Sequence, residues 1–160
     1  MKMIDCRSLL SHLPVRTLHL GYDPAARIPQ GTYALIECFC PDIDCDCRRV
    51  MLAVVSQDTN QIVAHISYGW ESLDFYLQWT GNLPDAIDCI NPYLDPLNPQ
   101  SEYAPLFLAL FKDYVMQDIA YLARIKLHYS LFKAQLKRKS RPFTLVKPNQ
   151  AKPKSKRRRK

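Results

Sequence analysis

Residues 32–70 decide the fold. They read Thr-Tyr-Ala-Leu-Ile-Glu-Cys-Phe-Cys (32–40), Pro-Asp-Ile-Asp-Cys-Asp-Cys (41–47), Arg-Arg-Val-Met-Leu-Ala-Val-Val-Ser (48–56), Gln-Asp-Thr-Asn (57–60) and Gln-Ile-Val-Ala-His-Ile-Ser-Tyr-Gly-Trp (61–70). Thr32–Cys40, Arg48–Ser56 and Gln61–Trp70 are rich in Val, Ile, Tyr and Phe and are separated by turn formers, which predicts three strands of an antiparallel meander. Gln57–Asn60 carries side chains that bond their own backbone in tight turns, so strands two and three form a hairpin. In the third strand Ile62, Ala64, Ile66 and Tyr68 alternate with Val63, His65, Ser67 and Gly69, which makes one face the more apolar.

Outward from this core, Glu71–Thr80 predicts a short helix ended by Gly81, and Asn91–Gln100 a proline-rich connector. Ser101 is an N-cap candidate for a helix whose Tyr103, Leu106, Phe107, Leu110, Phe111 and Tyr114 form one apolar stripe, with Pro105 tolerated near its start. Asp118 announces a last helix with Tyr121, Leu122, Ile125, Tyr129, Phe132 and Leu136 on one face and Leu127 and Leu131 off it. The expected fold is α+β, a small antiparallel β-meander packed against two C-terminal helices and followed by a disordered basic tail. Residues 1–30, with Pro14, Pro24, Pro29 and Gly21, read as an irregular N-terminal arm holding at most a short helix around Asp5–His12. The domain then covers 31–136 and the tail 137–160.

With 160 residues, 48% hydrophobic and 23% charged, the chain holds one domain with a core; collagen, a coiled-coil rod and a wholly disordered chain are excluded. The net charge of +7 is unevenly spread: twelve of the 22 Lys and Arg lie in 137–160 without a single acid, leaving ten bases against all fifteen acids before it, a balance of −5. The body is acidic and the basicity belongs to an appendage. Such a segment attracts phosphate through charge and counterion release, so Lys152, Lys154, Lys156, Arg157, Arg158, Arg159 and Lys160 are candidate contacts to nucleic acid or a ribonucleoprotein. An aid to solubility or an import signal are the other readings of the tail. The first twenty residues interrupt their apolar pairs with charges and prolines, and no apolar run is long enough to cross a bilayer, so a cytoplasmic protein with reduced thiols is expected.

Four of the six cysteines fall within ten residues, Cys38, Cys40, Cys45 and Cys47, in a C-x-C-x4-C-x-C arrangement across the first reversal of the meander. Pairs two apart share a strand face, so the two pairs can converge on one ion, and zinc suits four thiolates in a tetrahedron. Residues two apart on a flat strand lie nearly 7 Å apart, by about 3.4 Å of rise per residue, so the mouth of the hairpin must curl. Arg48 and Arg49 are placed to offset the charge of the thiolates and of Asp42, Asp44 and Asp46. A three-ligand version uses Cys40, Cys45 and Cys47, with Cys6 or His65 as a fourth ligand. Ordinary packed thiols and a redox pair are the competing readings, although no C-x-x-C precedes a helix here. Cys89 stands apart in a proline-flanked segment.

Cys40-Pro41-Asp42-Ile43-Asp44-Cys45-Asp46-Cys47-Arg48-Arg49-Val50, within Glu37–Val50, resembles a motif of a family of uncharacterised bacterial proteins, and Asp95-Pro96-Leu97-Asn98-Pro99-Gln100-Ser101 is similar to a second segment of it. The resemblance spans roughly residues 31–136 and brings no activity or catalytic residue with it. Cys38 lies outside the family pattern, which favours the three-ligand version.

His12, His19, His65 and His128 have no sequence partners that define a catalytic unit, and His128 lies beside an apolar stripe where a satisfied core histidine is expected. Asp42, Asp44 and Asp46 lack the glycine and distal glutamate of a calcium loop, and four glycines in the chain do not build a phosphate-cradling loop. Trp70, Phe75, Tyr76 and Trp79 are able to stack on bases but read first as core. Three functional classes follow. One is a zinc-stapled binding module with a tail on nucleic acid. Another is a thiol-redox or zinc enzyme using Glu37 or His65 as acid or base. The last is an acidic interaction domain using Leu127 and Leu131.

Overall fold

A computed structural model describes residues 3–22, 27–84 and 86–140. Among them a mixed-length antiparallel sheet is built on three long strands, β3 (Gly31–Phe39), β4 (Arg49–Ser56) and β5 (Gln61–Gly69), which pair in sequence order as the meander predicts. β5 follows β4 through the tight turn at 57–60, where Asn60 takes a positive φ of 56° and the Thr59 amide donates to the Ser56 hydroxyl at 3.3 Å. The long strands are apolar on both faces because both are covered. Tyr33, Leu35, Phe39, Val50, Leu52, Val54, Ala64, Ile66 and Tyr68 turn to the main core, while Cys38, Met51 and Ala53 form a smaller cluster behind it.

Two short strands, β1 (Ile4–Asp5) and β2 (Arg16–Leu20), line the outer edge of β3, β2 in register from Arg16 opposite Leu35 to Leu20 opposite Gly31. The arm before residue 31 is therefore not simply irregular. It holds a 3-10 turn over Cys6–Ser8 and a five-residue strand whose Leu18 and Leu20 pack on the core. Prolines interrupt this arm without preventing it from pairing at an edge, where they cost the ladder least.

At the opposite edge β6 (Tyr93–Leu94) pairs with β5, and the segment after it completes the edge with side chains. The Gln100 amide mimics a strand, its Oε1 accepting from the His65 amide at 2.9 Å and its Nε2 donating to the His65 carbonyl at 3.1 Å. Asp95 accepts from the Leu97 amide, the Asn98 side chain and the Ser67 hydroxyl. The Asp95–Ser101 segment thus closes an edge that is otherwise open to pairing with another chain.

Helices α3 (Ala104–Asp113) and α4 (Ile119–Ser140) cover the main face with Phe107, Phe111, Tyr121, Ile125, Tyr129 and Phe132, as their apolar stripes predict. Asp118 caps α4 through the Tyr121 amide at 2.9 Å. Ser101 does not cap α3: its hydroxyl donates to the Val63 carbonyl at 2.6 Å and accepts from the Tyr103 amide one turn early. α4 continues four residues beyond Leu136, the last residue of its apolar stripe. On the other side α1 (Leu73–Thr80), capped by Ser72 and closed by Gly81 at φ 71°, and α2 (Ala86–Ile90) dock against the end of β5. Gly69 allows this, since a Cβ there would stand 2.3 Å from the Tyr76 hydroxyl and 2.4 Å from the Cys89 carbonyl. Among the described residues no helix is long and apolar enough to cross a membrane.

Candidate metal centre

β3 stops at Phe39 and β4 starts at Arg49, so residues 40–48 leave the sheet as a loop. The Asp42 carboxylate accepts from the Asp44 amide at 3.0 Å and the Asp42 carbonyl from the Cys45 amide at 3.4 Å, which turns the chain back on itself. Arg48, at φ 46°, makes the second bend before the strand resumes. These two bends are the curl that a flat hairpin mouth lacks, and they bring the Sγ atoms of Cys40, Cys45 and Cys47 within 4.8 Å of one another. Among the described residues no other set of three or more His, Cys, Asp or Glu converges in this way. Three sulfurs at about 2.3 Å from a common ion would lie about 3.8 Å apart, a closing that a loop accommodates. The cluster can hold a metal ion.

Cys38 does not belong to it, which corrects the four-cysteine reading. It is the last residue of β3 to pair with β4, opposite Met51, and alternation turns it to the rear face, where its thiol donates to the Ile36 carbonyl at 3.8 Å. The two-apart rule that joins Cys38 to Cys40 holds only while the chain remains a strand, and the strand has ended. Neither Cys6 nor His65 supplies a fourth ligand. Cys6 lies in the main core, and His65 Nδ1 donates to the Pro99 carbonyl at 2.9 Å. Lys152, Lys154, Lys156, Arg157, Arg158, Arg159 and Lys160, the tail's candidate nucleic-acid contacts, lie outside the described residues.

The loop is held from three sides. Phe39 packs edge-on against Tyr129 and tilted against Phe132, which fixes α4 above the start of the loop. Lys133 on α4 donates to the Asp42 and Cys45 carbonyls, both at 2.6 Å, and so clips the two ends of the turn together. Arg48 forms a bidentate pair with Asp46, reaches Glu71 at 3.3 Å, lies over the Phe75 ring and presents its carbonyl to the Tyr76 hydroxyl at 2.7 Å. The neighbouring Arg49 turns instead to Tyr93, by a hydrogen bond and a cation–π contact.

Cys40 is 1% exposed and Cys47 0%, whereas Cys45 is half-buried. Burial, with Cys45 as a close neighbour, pushes the Cys47 thiol up to about 12, and burial likewise raises Cys40, with Lys133 opposing. A divalent cation supplies the charge that converts such thiols to thiolates, because coordination and deprotonation are coupled. No family model, curated protein or solved structure matches this chain. The motif resemblance therefore assigns no chemistry, and the residues must carry the reading.

Sequence reasoning missed one partner of the site and one buried pair apart from it. One is Lys133, which lies opposite the loop only because α4 crosses it; its position seven residues before Ser140, on a helix with several lysines, gives no distinguishing signal. The other is the pair formed by His128 Nδ1 and Glu37 Oε2, 2.7 Å apart with each side chain 4% exposed, in the interface of α4 and β3. Glu37 is thus engaged with His128 and His65 with Pro99, so neither residue named for acid or base work stands at the thiols.

Proposed function

We propose that this chain is a zinc-stapled binding module: Cys40, Cys45 and Cys47 hold one Zn²⁺, and the basic segment after α4 contacts nucleic acid or a ribonucleoprotein. The observation that carries the reading is the convergence of the three sulfurs at the curled mouth of the β3–β4 hairpin. Thiolate donors favour zinc among the common divalent ions, and a fourth position filled from outside completes the tetrahedron. Burial raises the Cys40 and Cys47 thiols, which disfavours the thiolate that exchange between those two would need. The metal ties β3 to β4 beside Lys133 of α4, so its role is to fix the loop against that helix.

Zinc-edge X-ray absorption of the purified full chain tests the metal: three sulfurs near 2.3 Å and one lighter atom are expected, whereas four sulfurs or no zinc would overturn the assignment. For the tail, about eight phosphate contacts give a log–log salt slope near −6 to −7. Replacing the seven cations from Lys152 to Lys160 with Gln in the full chain should flatten that slope and weaken binding; an unchanged slope removes the tail from the account.

A further inference from the structure

Beside the thiol loop is a cleft of about 710 Å³, within the size range of clefts that take small ligands. It is lined by the loop with Cys45, by Trp70, half-buried and packed edge-to-face with Tyr129, and by α4, which contributes Lys126, Ser130, Lys133 and Lys137. These positions fall at i, i+4, i+7 and i+11, a single stripe, and Lys126 to Lys137 covers about 16 Å of helix axis at 1.5 Å per residue.

The cations of this cleft are segregated on its α4 side. Four ion pairs form among the described residues and none includes a lysine. The lining holds four cations, Arg48, Lys126, Lys133 and Lys137, against three acids, Asp44, Asp46 and Glu71. Arg48 pairs with Asp46 and Glu71, and Lys133 also donates to the Asp42 and Cys45 carbonyls, which leaves Lys126 and Lys137 as the cations without an ion-pair or carbonyl partner among the described residues. The stripe reaches Lys137, which stands with Arg138 and Lys139 in the last turn of α4. Cations and an aromatic ring lining one cleft are the pattern by which proteins hold unpaired strands, phosphates on the cations and a base on the ring.

We propose that this cleft holds one nucleotide of a single-stranded nucleic acid, the base against Trp70 and the phosphate chain along Lys126, Lys133 and Lys137. The proposal rests on the nucleic-acid reading above and moves its centre from the tail to the folded body. A duplex keeps its base faces stacked inside, so only an unpaired strand offers Trp70 a free face. Ser130, between the lysines on the same stripe, supplies a hydroxyl for a phosphate or sugar oxygen.

The chain has two tryptophans, so Trp79→Phe leaves Trp70 as the sole indole, excited selectively at the red edge away from the tyrosines. In that full-length variant a 12-nucleotide single-stranded RNA should quench the emission. The same sequence as a duplex, and a poly-glutamate peptide of equal charge, should not. Lys126→Gln/Lys137→Gln, both exposed positions away from the loop clip, should lower the magnitude of the salt slope by about 1.4, two contacts at about 0.7 each for a single strand. Quenching by the peptide or the duplex equal to that by the single strand, no quenching at all, or an unchanged slope in the double variant each overturns the proposal. The seven-site glutamine tail variant separates the two readings. If it binds normally while the lysine double variant does not, the tail reading falls and the cleft stands. If the tail variant alone loses binding, the cleft falls and the tail stands.

Discussion

Replacing His128 with Leu should be among the most damaging single changes away from the thiols. His128 and Glu37 Oε2 face each other across the α4–β3 interface at 2.7 Å, each side chain 4% exposed, and Glu37 Oε1 has no hydrogen-bond partner among the described residues. Leucine fills the space and strands the carboxylate with neither oxygen bonded. Breaking a buried pair from one side costs about 3–5 kcal/mol, against a typical total stability of roughly 5–15 kcal/mol. For a domain of this size about 1 kcal/mol moves the melting point by roughly 2–4 °C, so a fall of about 6–20 °C is expected in calorimetry. The second variant makes the test specific. Glu37→Leu/His128→Leu removes both polar groups and should recover most of the loss, because it is the orphaned charge that destabilises and not the missing pair. A loss below about 1 kcal/mol in His128→Leu, or a double variant that equals the sum of the two single ones, would refute the reasoning.

Burial raises the Glu37 carboxyl above its ordinary value of 4.5, with the His128 hydrogen bond opposing, so this group favours folding most at acid pH and that contribution is lost as pH rises through the raised value. Glu37→Gln should therefore gain stability relative to the natural chain as urea midpoints are taken upward from pH 4.5, and the opposite trend would show that desolvation does not dominate. Gly69→Ala should cost about 1–3 kcal/mol in urea denaturation, because the Cβ collides with a backbone carbonyl and with a hydroxyl held by Arg48; an unchanged midpoint contradicts the close approach of α1 and α2. Lys133→Met removes both donors that clip the loop and should weaken zinc binding about 10- to 100-fold in chelator competition, the scale of a lost supporting contact, with equal affinity counting against the clip.

The central meander, its hairpin, the apolar stripes of α3 and α4 and the cap at Asp118 were all legible because each is a local pattern of period, propensity or turn chemistry. The edges were not. β2 pairs through Arg-Thr-Leu-His-Leu between proline-rich stretches, where breakers hide an alternation that only the presence of β3 makes useful. The sequence of Asn91–Gln100 reads as a rigid connector, yet its Gln100 serves as a surrogate strand, which depends on a partner 35 residues away. At the thiol site the sequence shows that the cysteines crowd one reversal, but membership turns on where the strand ends. Strand geometry carried through Cys40 joins it to Cys38; a strand ending at Phe39 releases Cys40 to Cys45 and Cys47. Lys133 and the Glu37–His128 pair depend on how α4 crosses the sheet, and no spacing in the chain encodes that.

Native mass spectrometry of the full chain, purified without chelator, bears most directly on the three-thiol site. One zinc per chain is expected in the natural protein and in Cys38→Ser, and none in Cys45→Ser/Cys47→Ser. A metal-free natural chain, or a Cys38→Ser variant stripped of zinc as completely as the double variant, would contradict it.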